Sequence, residues 1–311
     1  MKKFLVSTAV LALSAGVASA EVTTTGTARM GIIDDFGDVG AQFSSRFRVI
    51  FTASGETDGG LAFGATVRND QSGVGNTNNN DSSVFVSGAF GKLSMGDVDG
   101  AANAAVGQVD GVGYTGLSDL NEVTYIGTGG SDFGGVGPTL DDPFDTSALY
   151  EYTTGSISLY VSATQWDQTV GAQAVSFAGK YATGNYSVSL GYENLNASDD
   201  YIWEQYVLGG SATFGAITVK AIYADGQNNQ GDSWTQHAVS ATYAADAISV
   251  SAFVSSDEDL LDNDLGTSSN AQAYGLGAAY DLGGGAKVSG GYVKNETDDT
   301  SALDLGLSFS F

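Results

Sequence analysis

From about residue 22 to its end the chain is written in period two. Runs of about nine to twelve residues alternate apolar side chains with small or polar ones, and Gly, Asn or Asp punctuates them. Tyr186, Val188, Leu190 and Tyr192 fall on one face of such a run; Ser187, Ser189, Gly191 and Glu193 fall on the other. Ile217, Val219, Ala221 and Tyr223 repeat the pattern against Thr218, Lys220, Ile222 and Ala224, with Ile222 out of place on the polar side. The last run sets Leu303, Leu305, Leu307, Phe309 and Phe311 against Asp304, Gly306, Ser308 and Ser310. Only a strand turns every second side chain to the same face. The 44 glycines also weigh against helix interiors. The expectation is all-β.

About sixteen such runs can be traced. They begin near Val22, Gln42, Leu61, Ser82, Leu93, Ser147, Ser156 and Ala174, then near Tyr186, Glu204, Ile217, Thr235, Ile248, Ala271, Lys287 and Ser301. Short connections (Gly91-Lys92, Gly155, Gly184-Asn185, Gly215-Ala216, Asp246-Ala247) alternate with long polar ones at 71–81, 195–203, 228–234 and 258–270. Short turns at one end and long loops at the other are the habit of a transmembrane barrel, and a soluble sandwich has no reason to keep it. Eleven tyrosines, among them Tyr160, Tyr192 and Tyr206, are assigned to the apolar register, many near turns, as interfacial girdles require. Trp166, Trp203 and Trp234 lie at loop borders and read as interfacial anchors. Closing the sheet removes the unpaired edges that lipid does not tolerate. The spacing therefore predicts a transmembrane antiparallel β-barrel of 16 strands.

Charge narrows the function. Asp and Glu number 36 against 11 Lys and Arg, for a net charge of −25, which excludes a nucleic-acid role. With no Cys there is neither a disulfide framework nor a thiolate metal site. One His leaves little room for His-based catalysis, and His237 shares its register with Val239 and Tyr243, pointing outward near the rim. Lys2 and Lys3, the apolar run 4–13 and Ala18-Ser19-Ala20 form an export signal, so residues 1–20 are expected to be cleaved and 21–311 to be the barrel. No later apolar stretch approaches the ~20 residues of a spanning helix.

One connection breaks the pattern. Over 99–146 alternation is lost, Gly and Asp accumulate, and both prolines, Pro138 and Pro143, occur. A loop this long is usually functional. Residues 122–126 could be read as a strand, but inserting one would give an odd count, so they are kept in the loop. Gly111-Val112-Gly113-Tyr114-Thr115-Gly116 matches a dinucleotide fingerprint without the strand–turn–helix context that would give it meaning.

The signal segment, the sixteen or so runs, the long third outer loop and the terminal Phe311 resemble the Gram-negative general diffusion porins, above all the alphaproteobacterial, Rhodobacter-type ones. The similarity is most specific at Tyr114-Thr115-Gly116-Leu117, at Ala148-Leu149-Tyr150-Glu151-Tyr152 and at the ending Leu307-Ser308-Phe309-Ser310-Phe311. The resemblance implies an outer-membrane homotrimer of barrels, each with its own pore. It also implies that the third loop folds into the lumen and narrows it.

Register adds candidate residues. Phe43, Phe47, Val49 and Phe51 share one face, which turns Arg46 and Arg48 to the other; the same reasoning turns Arg29 and Arg68 inward. A lipid-facing Arg at mid-bilayer would cost roughly 2–4 kcal/mol. These four arginines form a basic wall, and the loop acids Asp99, Asp110, Asp119 and Glu122 supply the opposite sign. Acids facing arginines across a gap would set a transverse field in a pore. The plainer alternative is that the arginines neutralise lumen acids such as Glu151 and Glu193. Asp141, Asp142 and Asp145 are a candidate calcium site, favoured there by the resemblance, although no EF-hand spacing is present. The expected function is passive diffusion of small hydrophilic solutes and ions, weakly preferring cations, without chemistry or a required cofactor. The alternatives are a substrate-selective channel on the same barrel and a barrel whose loops mainly bind partners.

Overall fold

The structure, a computed structural model, describes residues 21–36, 40–72, 76–78, 82–127, 146–167, 172–198, 201–258 and 271–311. The expected export signal at 1–20 lies outside the described residues. The strands are β1 (Glu21–Asp34), β2 (Gln42–Glu56), β3 (Ala62–Ser72), β4 (Asn76–Asn78), β5 (Ser82–Gly88) and β6 (Gly91–Gly96). After the long connection come β7 (Thr146–Thr154), β8 (Ile157–Asp167), β9 (Ala172–Thr183), β10 (Tyr186–Ser198), β11 (Tyr201–Phe214) and β12 (Ile217–Asn228). The chain ends with β13 (Ser233–Ala245), β14 (Ile248–Glu258), β15 (Ala271–Gly283), β16 (Ala286–Asn295) and β17 (Thr300–Ser310).

Apart from β4 and β5, each strand pairs antiparallel with its neighbours in sequence, and β1 pairs with β17 to close the ring. Both β4 and β5 pair with β3, one after the other, so they are two pieces of one stave and the barrel has 16. The seam is sealed beyond the ladder by Gly26 and Phe311, whose amides and carbonyls exchange hydrogen bonds of 2.7 and 3.0 Å. At one end the hairpins from β7 to β16 turn in two residues, with Gly155 (φ 59°) and Asp246 (φ 51°) left-handed, the conformation that continues the twist of the flanking strands.

The alternation has the expected sense. Leu190, Leu276, Leu305 and Val254 are each more than half exposed, on the face that points away from the lumen. A water-soluble protein does not display a continuous apolar band of this kind, whereas hydrocarbon requires it. Three aromatic side chains lie elsewhere than the register predicts. Tyr160 faces the lumen beside its cross-strand partner Glu151, because the exposed pair Leu159 and Val161 takes the lipid side. Trp203 and Trp234 are not rim anchors. Both are buried inside the barrel with ring centroids 5.2 Å apart, since they share parity with Gln205 and Gln236 rather than with the exposed Tyr206 and Val239. The side chain of Trp166 lies outside the described residues. His237 is exposed on the outer face.

Candidate functional site

The described part of the long connection, residues 97–127, packs against the inward face of the wall. It carries one α-helix, α1 (Ala101–Val106). Ala101, Ala102 and Ala105 are fully buried, and alanines let this short helix approach the strands closely. The first amides of a helix have no partner within it. Here Ser162 of β8 and Ser176 of β9 accept from Ala101 N and Ala102 N at 2.8 and 2.9 Å. From β10, the Ser189 hydroxyl donates to the Ala105 carbonyl at 2.9 Å.

The chain then follows the wall. Asp110 accepts from Lys220 Nζ of β12 at 2.6 Å and from Thr242 Oγ1 of β13 at 2.8 Å. The Tyr114 ring fills a gap above Gly31 and Gly306, a directly paired couple on β1 and β17 where a Cβ would come within 2.8 and 2.9 Å of the ring. A 3-10 turn at Leu117–Asp119 redirects the backbone, and the Ser255 hydroxyl of β14 donates to Leu120 O at 2.5 Å. Thr124 N donates to Gln236 Oε1 at 2.6 Å, and Gln205 Nε2 donates to Thr124 O at 2.8 Å. Residues 122–126 form no strand. Tyr125 donates to Gly107 O at 2.6 Å. Burial, followed by the carboxylates of Glu193, Asp99 and Glu122, pushes its phenol well above the ordinary range and keeps it protonated.

Loop and wall share an apolar core. Val109, Val112, Leu117 and Val123 from the loop meet Val207, Ile222, Phe253 and Val293 from β11, β12, β14 and β16. This explains why Ile222 breaks the polar face of its strand: that face is covered. The loop lines β8 through β17, and its edge reaches β1 at Arg29.

All four arginines lie on the inward face of β1–β3. Arg48 and Asp70 are direct cross-strand partners joined by a forked pair, Nε–Oδ1 2.8 Å and Nη2–Oδ2 2.7 Å. Arg68 Nη2 reaches the same carboxylate at 3.1 Å. Arg29 donates to the carbonyls of Tyr114 and Thr115 at 3.2 and 2.9 Å. Arg46, opposite Arg29 in the ladder, makes no hydrogen bond or ion pair with a described residue. Arg29, Arg46 and Arg48, with Lys287, Asp246 and Asp281, line an opening of about 690 Å³.

The acids divide. Asp99, Asp119 and Glu122 are exposed on the loop, with Asp99 accepting from Asn103 Nδ2 at 3.0 Å. Asp110 is turned to the wall by Lys220, away from the arginines. Asp141, Asp142 and Asp145 lie outside the described residues. Glu151 faces Lys92 at 3.5 Å rather than an arginine.

The description Gram-negative porin matches residues 7–300. The chain belongs to the Gram-negative porin family. It is 40% identical to a porin of Rhodobacter capsulatus, an alignment covering 94% of this chain and all of the relative. A porin of Fuscovulum blasticum is 27% identical over the same shares. A solved porin structure refined at 1.8 Å resolution superposes with a TM-score of 0.77 at 34% identity, covering 94% of this chain and 100% of the other. This porin is an outer-membrane channel for passive diffusion, and its relatives are channels rather than enzymes. The family in general needs no cofactor.

The sequence pattern missed the residues that hold the loop. Glu193 and Asp304 stand alone on otherwise small or apolar inward positions, and that isolation was the available signal.

Proposed function

We propose that this porin is a general diffusion channel whose narrowest section lies between the arginine wall of β1–β3 and the loop edge carrying Asp99, Asp119 and Glu122, with a weak preference for cations. The carrying observation is the one-sided lining. The loop packs on the inward faces of β8 to β17, and Arg46 and Arg48 line the opening at its edge. Charges of opposite sign across a water-filled gap orient polar solutes and hold water that apolar solutes would have to displace. In bulk water two unit charges ~10 Å apart interact by only ~0.4 kcal/mol, but low-dielectric walls and several charges per side raise this. On this reading Asp110 serves as a loop anchor.

Single-channel conductance of the protein in planar bilayers, with reversal potentials in a salt gradient, tests the reading. Ohmic steps with a small cation preference are expected; saturable flux of one solute would replace it with a selective channel. The cation preference should fall with pH. Asp99 keeps an exposed surface, yet the protein packed around it, and then Glu151, raise its carboxyl above the ordinary value. As an acid with a raised value it loses its charge first on acidification, so selectivity should begin to decline above the usual carboxylate range. A preference constant down to that range would count against Asp99 as a contributor.

The same reading takes the working unit as a homotrimer, assigns calcium to Asp141, Asp142 and Asp145, and treats residues 1–20 as an export signal. Current steps in groups of three support the first. Calorimetry on chelator-treated protein that finds no calcium binding removes the second. N-terminal sequencing of outer-membrane material should begin at Glu21.

A further inference from the structure

Two buried carboxylates stand on opposite sides of the barrel, and both accept hydrogen bonds from the backbone of the inner loop. Asp304 on β17 takes the amides of Tyr114 and Thr115 at 2.9 and 2.8 Å and the Thr115 hydroxyl at 2.7 Å, while Gly291 N donates to its other oxygen at 2.9 Å. Glu193 on β10 takes the amides of Ile126 and Gly127, each at 3.0 Å, and Gln205 Nε2 at 3.1 Å. Their exposures are 2% and 0%. Seven strand-to-strand steps separate β10 from β17 in the ring, so the two face each other almost across its diameter.

Neither carboxylate forms an ion pair with a described residue. A buried carboxylate without a cation is tolerated only when hydrogen bonds satisfy it. Here most of the donors belong to the loop. The loop is shaped to supply them: a Cβ on Gly113 would lie 2.5 Å from Asp304 Oδ1, and one on Gly127 would lie 2.7 Å from Glu193 Oε1. Glycine occurs at both points of closest approach. Between the anchors runs the segment 114–127, which carries Asp119 and Glu122.

We propose that Glu193 and Asp304 are positioning residues that set the width of the pore, by holding the two ends of the 114–127 strap from opposite walls. The inference rests on the diffusion-channel reading. Neither residue needs to touch a passing solute. Each orients the loop edge that does, and each acts on its own end of the strap. Because both oxygens of each carboxylate accept hydrogen bonds, an amide of the same size is a poor substitute: it offers one acceptor and presents N–H groups to N–H groups.

The test compares the full-length processed protein with Glu193→Gln, Asp304→Asn, the double variant and Gly127→Ala, which displaces the strap from Glu193 while leaving the strand untouched. Two measurements are made on each: single-channel conductance, and amide hydrogen exchange at 114, 115, 126 and 127. The double variant is expected to show several conductance levels in place of one. Exchange at the four amides should rise at least about tenfold while the strands stay protected. Glu193→Gln and Gly127→Ala should release 126 and 127 alone, and Asp304→Asn should release 114 and 115 alone. If a strand variant fails to fold, Gly127→Ala reads the same anchor from the loop side. A conducting wild type whose variants keep a single level and slow exchange overturns the anchors. A wild type that inserts but passes no current overturns the diffusion reading and the width assignment with it, while its exchange pattern still shows whether the strap is held.

Discussion

Replacing Ile222 with aspartate should widen the pore rather than collapse the barrel. Ile222 is 5% exposed in the core between loop and wall. A carboxylate there would be buried without a partner, at a cost of several kcal/mol. Lys220, two residues away on the same face, is already paired with Asp110. Two elements meet at this core, and they are held differently. The β12 backbone is locked by ladders to β11 and β13 along its whole length. The loop is held by side-chain contacts and scattered hydrogen bonds. The loop should therefore yield, admit water to the carboxylate and leave more of the lumen open. Single-channel conductance should rise by about twofold, with the heat-modifiable migration of a folded barrel retained. Ile222→Val, which leaves only a small void, should stay close to wild type. An unchanged conductance in Ile222→Asp would falsify the idea that this core holds the loop.

The second large effect concerns charge. Converting Arg46, Arg48 and Arg68 together to glutamine should shift the reversal potential strongly towards cations. The inward wall of β1–β3 carries four guanidinium groups and, among them, the Asp70 carboxylate. Arg48 and Arg68 share that carboxylate, so their loss also frees a negative charge that is now neutralised. The local balance moves by three units, in a low-dielectric setting where single charges already matter. Arg46→Gln alone should give the largest single change, because its charge is the one not committed to a described partner. If the triple variant kept both conductance and selectivity, the arginines would be structural and the constriction would lie elsewhere.

Much of the architecture was legible in the alternation because lipid imposes it everywhere on the outer face. The expected starts at Gln42, Tyr186, Ile217 and Ile248 are the observed first residues of β2, β10, β12 and β14. The inner face was harder to read because it meets two environments. Where water fills the lumen, as at Arg46 and Arg48, inward positions are polar and the parity rule works. Where the loop covers the wall, inward positions become a mixed interior. Ile222 and Phe253 are apolar there, Trp203 and Trp234 pack on each other, and isolated acids such as Glu193 and Asp304 receive backbone amides. Period two cannot separate these cases, since both place the residue on the same side of the sheet. Asp110 shows the limit for charge: its sign was readable, but its partner Lys220 lies far along the chain. For Asp99, Asp119 and Glu122 the structure shows exposure, which loop composition already conveys.

The seam between β1 and β17 has a consequence for assembly. Every other strand pair joins segments that are neighbours in sequence, whereas the seam sets Thr27 opposite Ser310. Loop-closure entropy grows as the logarithm of the intervening length. Bringing together ends ~280 residues apart costs roughly 3 kcal/mol more than closing a ten-residue hairpin. Fifteen of the sixteen stave contacts can form locally, but the last must repay that cost at once. Its means are the ladder from Thr27 to Asp34, the exchange of hydrogen bonds between Gly26 and Phe311, and the stacking of Phe311 on Phe47 with ring centroids 5.9 Å apart. Ring closure is therefore the step at which an open, edge-bearing sheet becomes committed to the membrane, and Phe311 takes part in it through both its backbone and its ring.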